Sequence, residues 1–178
     1  IRPADANEVV EAWRLALNNN EGPTALIFSR QNLPVLDRKV CATAVGVREG
    51  GYILWESDPN PEAIIIATGS EVPLALKAGK QLAEQGGKIR VVSMPCWEIF
   101  DRQPREYRER ILPSAITARV AVEAGIKLGW EHYVGLPGKI IGMNSFGASA
   151  PGPVLYEKFG ITAERVVEAV KELTGMKP

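Results

Sequence analysis

Ala63-Ile-Ile-Ile-Ala67, running on into Thr68-Gly-Ser-Glu71, decides the fold. Five apolar residues without polar alternation predict a strand covered on both faces, as in parallel sheets. Thr68-Gly69-Ser70 turns the chain into a helix predicted over about residues 71–85. Gly86-Gly87 ends that helix, and Ile89-Arg-Val-Val-Ser93 is the next strand. The unit is strand, helix, strand.

Downstream, Pro95 to Pro113 holds two short charged helical pieces. Ile116–Glu123 and Lys139–Gly142 read as strands, and Thr162 caps a last helix carrying Val166, Val167, Val170 and Leu173. Upstream, Tyr52–Trp55 is a strand and Pro59-Asn-Pro61 a turn. Strands alternate with helices, so the class is α/β: a three-layer sandwich with a mostly parallel sheet of about five strands.

The start of the chain forms a separate piece. Asp5 and Glu8 have the spacing of a capping box, and Val9, Val10, Trp13, Ala16 and Leu17 fall on one helical face. Thr24–Phe28 reads as a buried strand, and residues 37–50 as a connection with a short strand at Val45–Val47. One helix and one strand cannot bury their apolar faces alone. The piece is therefore expected to be the remnant of another α/β domain.

Composition bounds the function. Twenty-one basic and 21 acidic residues cancel, which argues against nucleic acid or an anionic membrane as partner. No apolar run approaches a membrane span. Cys41 and Cys96 have neither metal-site spacing nor histidine neighbours, so a reducing, cytoplasmic setting is expected. Cys96 reads as a small half-buried hydrophobe.

Four places could carry chemistry. Arg30, just past the Thr24–Phe28 run, could anchor a phosphate or carboxylate with its fork of donors; position alone favours an ordinary surface ion pair. The Thr68–Glu71 turn could take an anion at a helix N-terminus, but capping by Ser70 or Thr68 is the better reading. The loop from Gly142 to Pro153 is rich in glycine and serine, and its Phe146 suggests an interface. His132, the single histidine, is expected to be packed or hydrogen-bonded rather than catalytic.

Several segments together resemble the carboxyl-terminal part of the transketolase family. They are Ile1-Arg-Pro-Ala-Asp-Ala-Asn-Glu8, Gly22-Pro-Thr-Ala-Leu26, Ser29-Arg-Gln-Asn-Leu-Pro34, Ala67-Thr-Gly-Ser-Glu-Val72, Val92-Ser-Met-Pro95 and Phe146-Gly-Ala-Ser-Ala-Pro151. The resemblance runs from end to end. It implies residues 1–36 from a pyrimidine-binding domain, a linker over 37–50, and a complete C-terminal domain over 51–178.

It also implies a parent that transfers a two-carbon ketol unit from a ketose phosphate to an aldose phosphate in the pentose phosphate pathway. The parent's cofactor would be thiamine diphosphate, held through a divalent metal (Mg or Ca), and its assembly a homodimer. Arg30 takes the role of substrate-phosphate contact, which reverses the reading from position. Ser29 and Gln31 would shape the loop. The segments that hold cofactor and metal have no counterpart here, so the chain alone is expected to be inert and to bind neither. The other readings are a stand-alone regulatory or anion-binding domain, the same region of a related thiamine enzyme such as a dihydroxyacetone synthase, and one subunit of a split enzyme.

Overall fold

β2 (Ala63–Ala67) is the central strand of a five-stranded sheet in the computed structural model, which describes residues 1–177. The order is β1 (Tyr52–Glu56), β3 (Ile89–Ser93), β2, β4 (Arg119–Ile126), β5 (Lys139–Met143). β2 pairs in parallel with β3 on one side and β4 on the other, with Ile65 opposite Val91 and Val120. β5 continues the parallel set, and β1 closes the far edge antiparallel to β3. The mostly parallel sheet predicted from the sequence is present.

The side-chain period of two explains why β2 shows no polar alternation. Ala63, Ile65 and Ala67 face a core shared with α2 (Val72–Glu84) and α7 (Ala163–Thr174). Ile64 and Ile66 face the opposite core. That second core is roofed by Phe100 of α3 (Trp97–Asp101), Ile111 of α4 (Arg105–Ile111), and Tyr133 and Val134 of α5 (Glu131–Val134). Trp130, fully buried at the start of α5, completes it. Helices on both faces make three layers.

The crossovers reverse at one point. The chain leaves β2 for β3 on one side, then returns past β2 to form β4 on the other. The carboxyl ends of β2 and β4 are thus the topological switch point, where open α/β sheets leave a crevice.

Local signals met different fates. Thr162 caps α7 by accepting from the Arg165 N–H at 3.3 Å. The capping of α2 by Ser70 or Thr68 is not made. Ser70 Oγ donates instead to Glu71 at 2.6 Å, and α2 begins through a 3₁₀ turn at Gly69–Glu71. Pro73 sits in the first turn of α2, where its missing N–H costs nothing. The short strand expected at Val45–Val47 is a 3₁₀ turn, Ala44–Glu49.

The N-terminal arm departs most from expectation. Thr24–Phe28 is extended but joins no sheet. It exchanges backbone hydrogen bonds with Ile1, and Ile27 and Phe28 are exposed. α1 (Ala6–Asn18) forms as predicted, with Asp5 accepting from the Glu8 N–H at 2.9 Å. Glu8 reaches back to the Ala4 N–H rather than to that of Asp5, widening the capping box by one residue.

The helix sits with its apolar stripe outward. Glu8, Glu11 and Ala12 are buried against the body, while Val10, Trp13 and Leu17 are exposed, Leu17 to 76%. Each buried acid has its partners. Glu8 accepts from Tyr52 Oη and Ser93 Oγ, both at 2.7 Å, and Glu11 pairs with Arg14 and Arg48.

Candidate functional site

Three of the segments singled out in the sequence meet at the switch point. A cleft of about 440 Å³ is walled on one side by Phe28–Gln31 of the arm. The other wall is Gly69 and Ser70 after β2, Ala124 of β4, Ala148–Ala150, and Tyr156 of α6 (Gly152–Phe159). Arg2 and Pro3 close one end. The loops touch across the mouth: a Cβ on Gly152 would stand 3.0 Å from Gln31 Nε2.

Arg30 is exposed on the cleft wall, and among the described residues no carboxylate pairs with it. An unpaired guanidinium presents its full fork of donors to an anion. Ser29 and Gln31 bond to each other: the Gln31 N–H donates to Ser29 Oγ at 3.0 Å. The turn between the flanking residues of Arg30 is thereby fixed.

The second cation of the cleft is committed. Arg2 Nη2 lies 3.3 Å from Glu71 Oε2, and Nη1 bonds Glu123. Glu71 is fully buried. It takes hydrogen bonds from Ser70 Oγ, from the Ala124 N–H at 2.9 Å, and from Tyr156 Oη. Burial, with the Glu71 charge beside it, pushes the Tyr156 phenol up to about 12, so it remains a donor at neutral pH. Glu123 in turn accepts from Trp130 Nε1 at 2.6 Å.

Two other sequence candidates lie elsewhere. His132 is exposed rather than packed within the fold; its ring meets Tyr133 edge-on and its Nε2 is 3.8 Å from Asp101. Phe146 is 98% exposed, on the same loop but outside the cleft lining. Cys96 is buried with its thiol 3.3 Å from Glu98, and burial pushes the thiol up, away from the thiolate form. The sequence reading missed the role of Glu71, which appears there only as the last residue of the Thr68–Glu71 turn. Its place in Ala67-Thr-Gly-Ser-Glu-Val72, directly after a strand end, was the available signal.

Residues 50–162 match the family described as the transketolase-like TK C-terminal domain. Transketolase of Staphylococcus epidermidis is 50% identical over 173 residues, covering 97% of this chain and 26% of the relative. Among solved structures, transketolase from Leishmania mexicana superposes over 100% of this chain and 26% of its own, with a TM-score of 0.88 and 44% identity. A structure titled split gene transketolase, inactive beta4 tetramer, has a TM-score of 0.73 at 26% identity and covers 99% of this chain and 57% of its own. The chain thus spans about a quarter of the curated relatives it matches. The family match over residues 50–162 and these likenesses agree: the chain belongs to the transketolase C-terminal-domain family.

Proposed function

We propose that this chain is the carboxyl-terminal part of a transketolase, and that Arg30 holds the phosphate of its sugar substrates. The parent moves a two-carbon ketol unit from a ketose phosphate to an aldose phosphate in the cytoplasm, as a homodimer. Residues 1–36 belong to its pyrimidine-binding domain, 37–50 are the linker, and 51–178 form the C-terminal domain. The outward apolar stripe of α1, with Val10, Trp13 and Leu17, supports that division: it is the face on which the body of the preceding domain would lie.

The parent's cofactor is thiamine diphosphate with a divalent metal. Among the described residues of this chain, no group of three or more His, Cys, Asp or Glu side chains is placed to hold a metal ion. By the family resemblance, cofactor and metal belong to the larger part of the parent, and no chemical step is assigned to these residues. The chain's own task is binding and orientation, and by itself it is inert. The tetramer of the split gene relative, titled inactive, is in keeping with this.

The observation that carries the proposal is an arginine without a partner among the described residues, on the wall of a cleft at the switch point. A phosphate gripped there anchors the far end of the sugar, so remote binding energy can be spent on orienting the reacting carbon. Arg30→Ala in the full-length enzyme should raise KM for phosphorylated donors by about tenfold or more, from loss of a charged hydrogen bond. A non-phosphorylated ketol donor should be unaffected. Unchanged KM for every phosphorylated substrate would remove Arg30 from the site.

A further inference from the structure

We infer that Glu71 is the positioning residue that sets the phosphate cleft, by fastening the arm that carries Arg30 to the sheet that forms the opposite wall. The inference rests on the proposed phosphate role of Arg30 and extends it to a residue that faces away from the substrate.

The two walls come from different parts of the chain. Arg30 and its neighbours belong to the arm; Ser70, Ala124 and Tyr156 belong to the body. Near the cleft, the hydrogen bonds between arm and body run through Arg2. Its carbonyl accepts from the Gly69 N–H at 3.1 Å, and its guanidinium ends on Glu71 and Glu123. Arg2 is joined to the wall that carries Arg30 through its neighbour Ile1, whose carbonyl accepts from the Ile27 N–H at 3.0 Å.

Glu71 is the common acceptor. One buried carboxylate receives Arg2 from the arm, Ala124 from β4, Tyr156 from α6 and Ser70 from the turn. A buried carboxylate is costly unless its lone pairs are filled, and here four donors fill them. Such a group has one well-satisfied position, so the elements that donate to it are held in one mutual placement. Ser70, Ala124 and Tyr156 are all lining residues of the cleft. Pairing with two carboxylates also neutralises Arg2, which leaves Arg30 as the cation available to an anion in the cleft.

Glu71→Asp tests this without changing charge: it withdraws the carboxylate by one methylene from Arg2 and Tyr156. In the full-length enzyme, KM for a phosphorylated donor should rise about tenfold, kcat should stay within about twofold, and KM for a non-phosphorylated ketol donor should not move. Tyr156→Phe, which removes a single donor, should act in the same direction by about threefold and covers the case in which Glu71→Asp does not fold. A purely structural role would lower kcat on both donors together and leave the ratio of their KM values unchanged, which would overturn the inference. Arg30→Ala separates the two claims. If it raises KM for the phosphorylated donor while the Glu71 and Tyr156 variants do not, Glu71 has no positioning role and the phosphate assignment stands. If Arg30→Ala has no effect, both fail.

Discussion

Along β2 the buried side chains are apolar; those of α1 include two glutamates. Ile64, Ile65 and Ile66 of β2 are wholly buried, each between neighbouring strands and a helical layer. α1 instead turns Glu8 and Glu11 to the body and leaves Val10, Trp13 and Leu17 outside. Both arrangements are stable for different reasons. Burial of apolar area is strong and non-directional, so it builds the sheet without specifying fine orientation. Buried carboxylates add little net stability but must meet their donors, so they fix how the arm lies on the body. The sheet is held by area and the arm by geometry.

The contrast can be broken most forcefully in the sheet. Ile65→Ala removes a wholly buried side chain from the core shared with α2 and α7 and should cost about 4 kcal/mol, read as a lower urea midpoint. A cost near that of a surface substitution would mean that the central strand does not carry the core.

Glu8→Ala should come next, at about 3 kcal/mol, because it strands the Tyr52 and Ser93 hydroxyls and the Ala4 N–H in a buried site. Its pH dependence sharpens the point. Burial pushes the Glu8 carboxyl above its ordinary 4.5, and Asp5 beside it pushes the same way; hydrogen bonds from Tyr52, Ala4 and Ser93 oppose this. Arg38 stands next to both, bonded to Tyr52 Oη and to the Asp5 carboxylate.

With its folded pKa above its unfolded one, Glu8 contributes fully below pH 4.5 and loses that contribution as pH rises through the folded value. Glu8→Gln cannot ionise. Its stability relative to the unsubstituted chain should therefore improve between about pH 4.5 and 7. A flat difference across that interval would show that the carboxyl titrates alike in the folded and unfolded chains.

The smallest effect belongs to the outward stripe. Leu17→Ala, at a side chain 76% exposed, should change the melting of this chain by less than about 0.5 kcal/mol. In the full-length protein the same substitution should cost about 2 kcal/mol, because the preceding domain would cover the stripe. Equal, negligible costs in both would show that the stripe is a solvent face.

Much of the body was legible in the sequence. Ala63–Ala67 reads as a central strand because an unbroken apolar run has only one comfortable environment, covered on both sides. The caps at Asp5 and Thr162 were legible for a related reason: donor and acceptor are three residues apart, inside the range that local pattern controls. Thr24–Phe28 misled, because an apolar extended segment reads the same whether or not a neighbouring strand is there to pair with it. The stripe of α1 was visible, but amphipathicity tells which face is apolar and not which face this body covers.

The site divides along the same line. Arg30 could be picked out by its place in Ser29-Arg-Gln-Asn-Leu-Pro34, yet its surroundings could not. Glu71 receives Arg2 from 69 residues away, Ala124 from 53 and Tyr156 from 85. The sequence by itself determined the α/β class, the central strand and the helix caps, since hydrophobic period and capping act over a few residues. Only the tertiary structure decided that the arm lies polar side down, that three separated segments share one cleft, and that a first-turn acid joins its walls. Those outcomes depend on which distant donors a buried carboxylate can reach, and that is set by the crossing of the chain at the switch point.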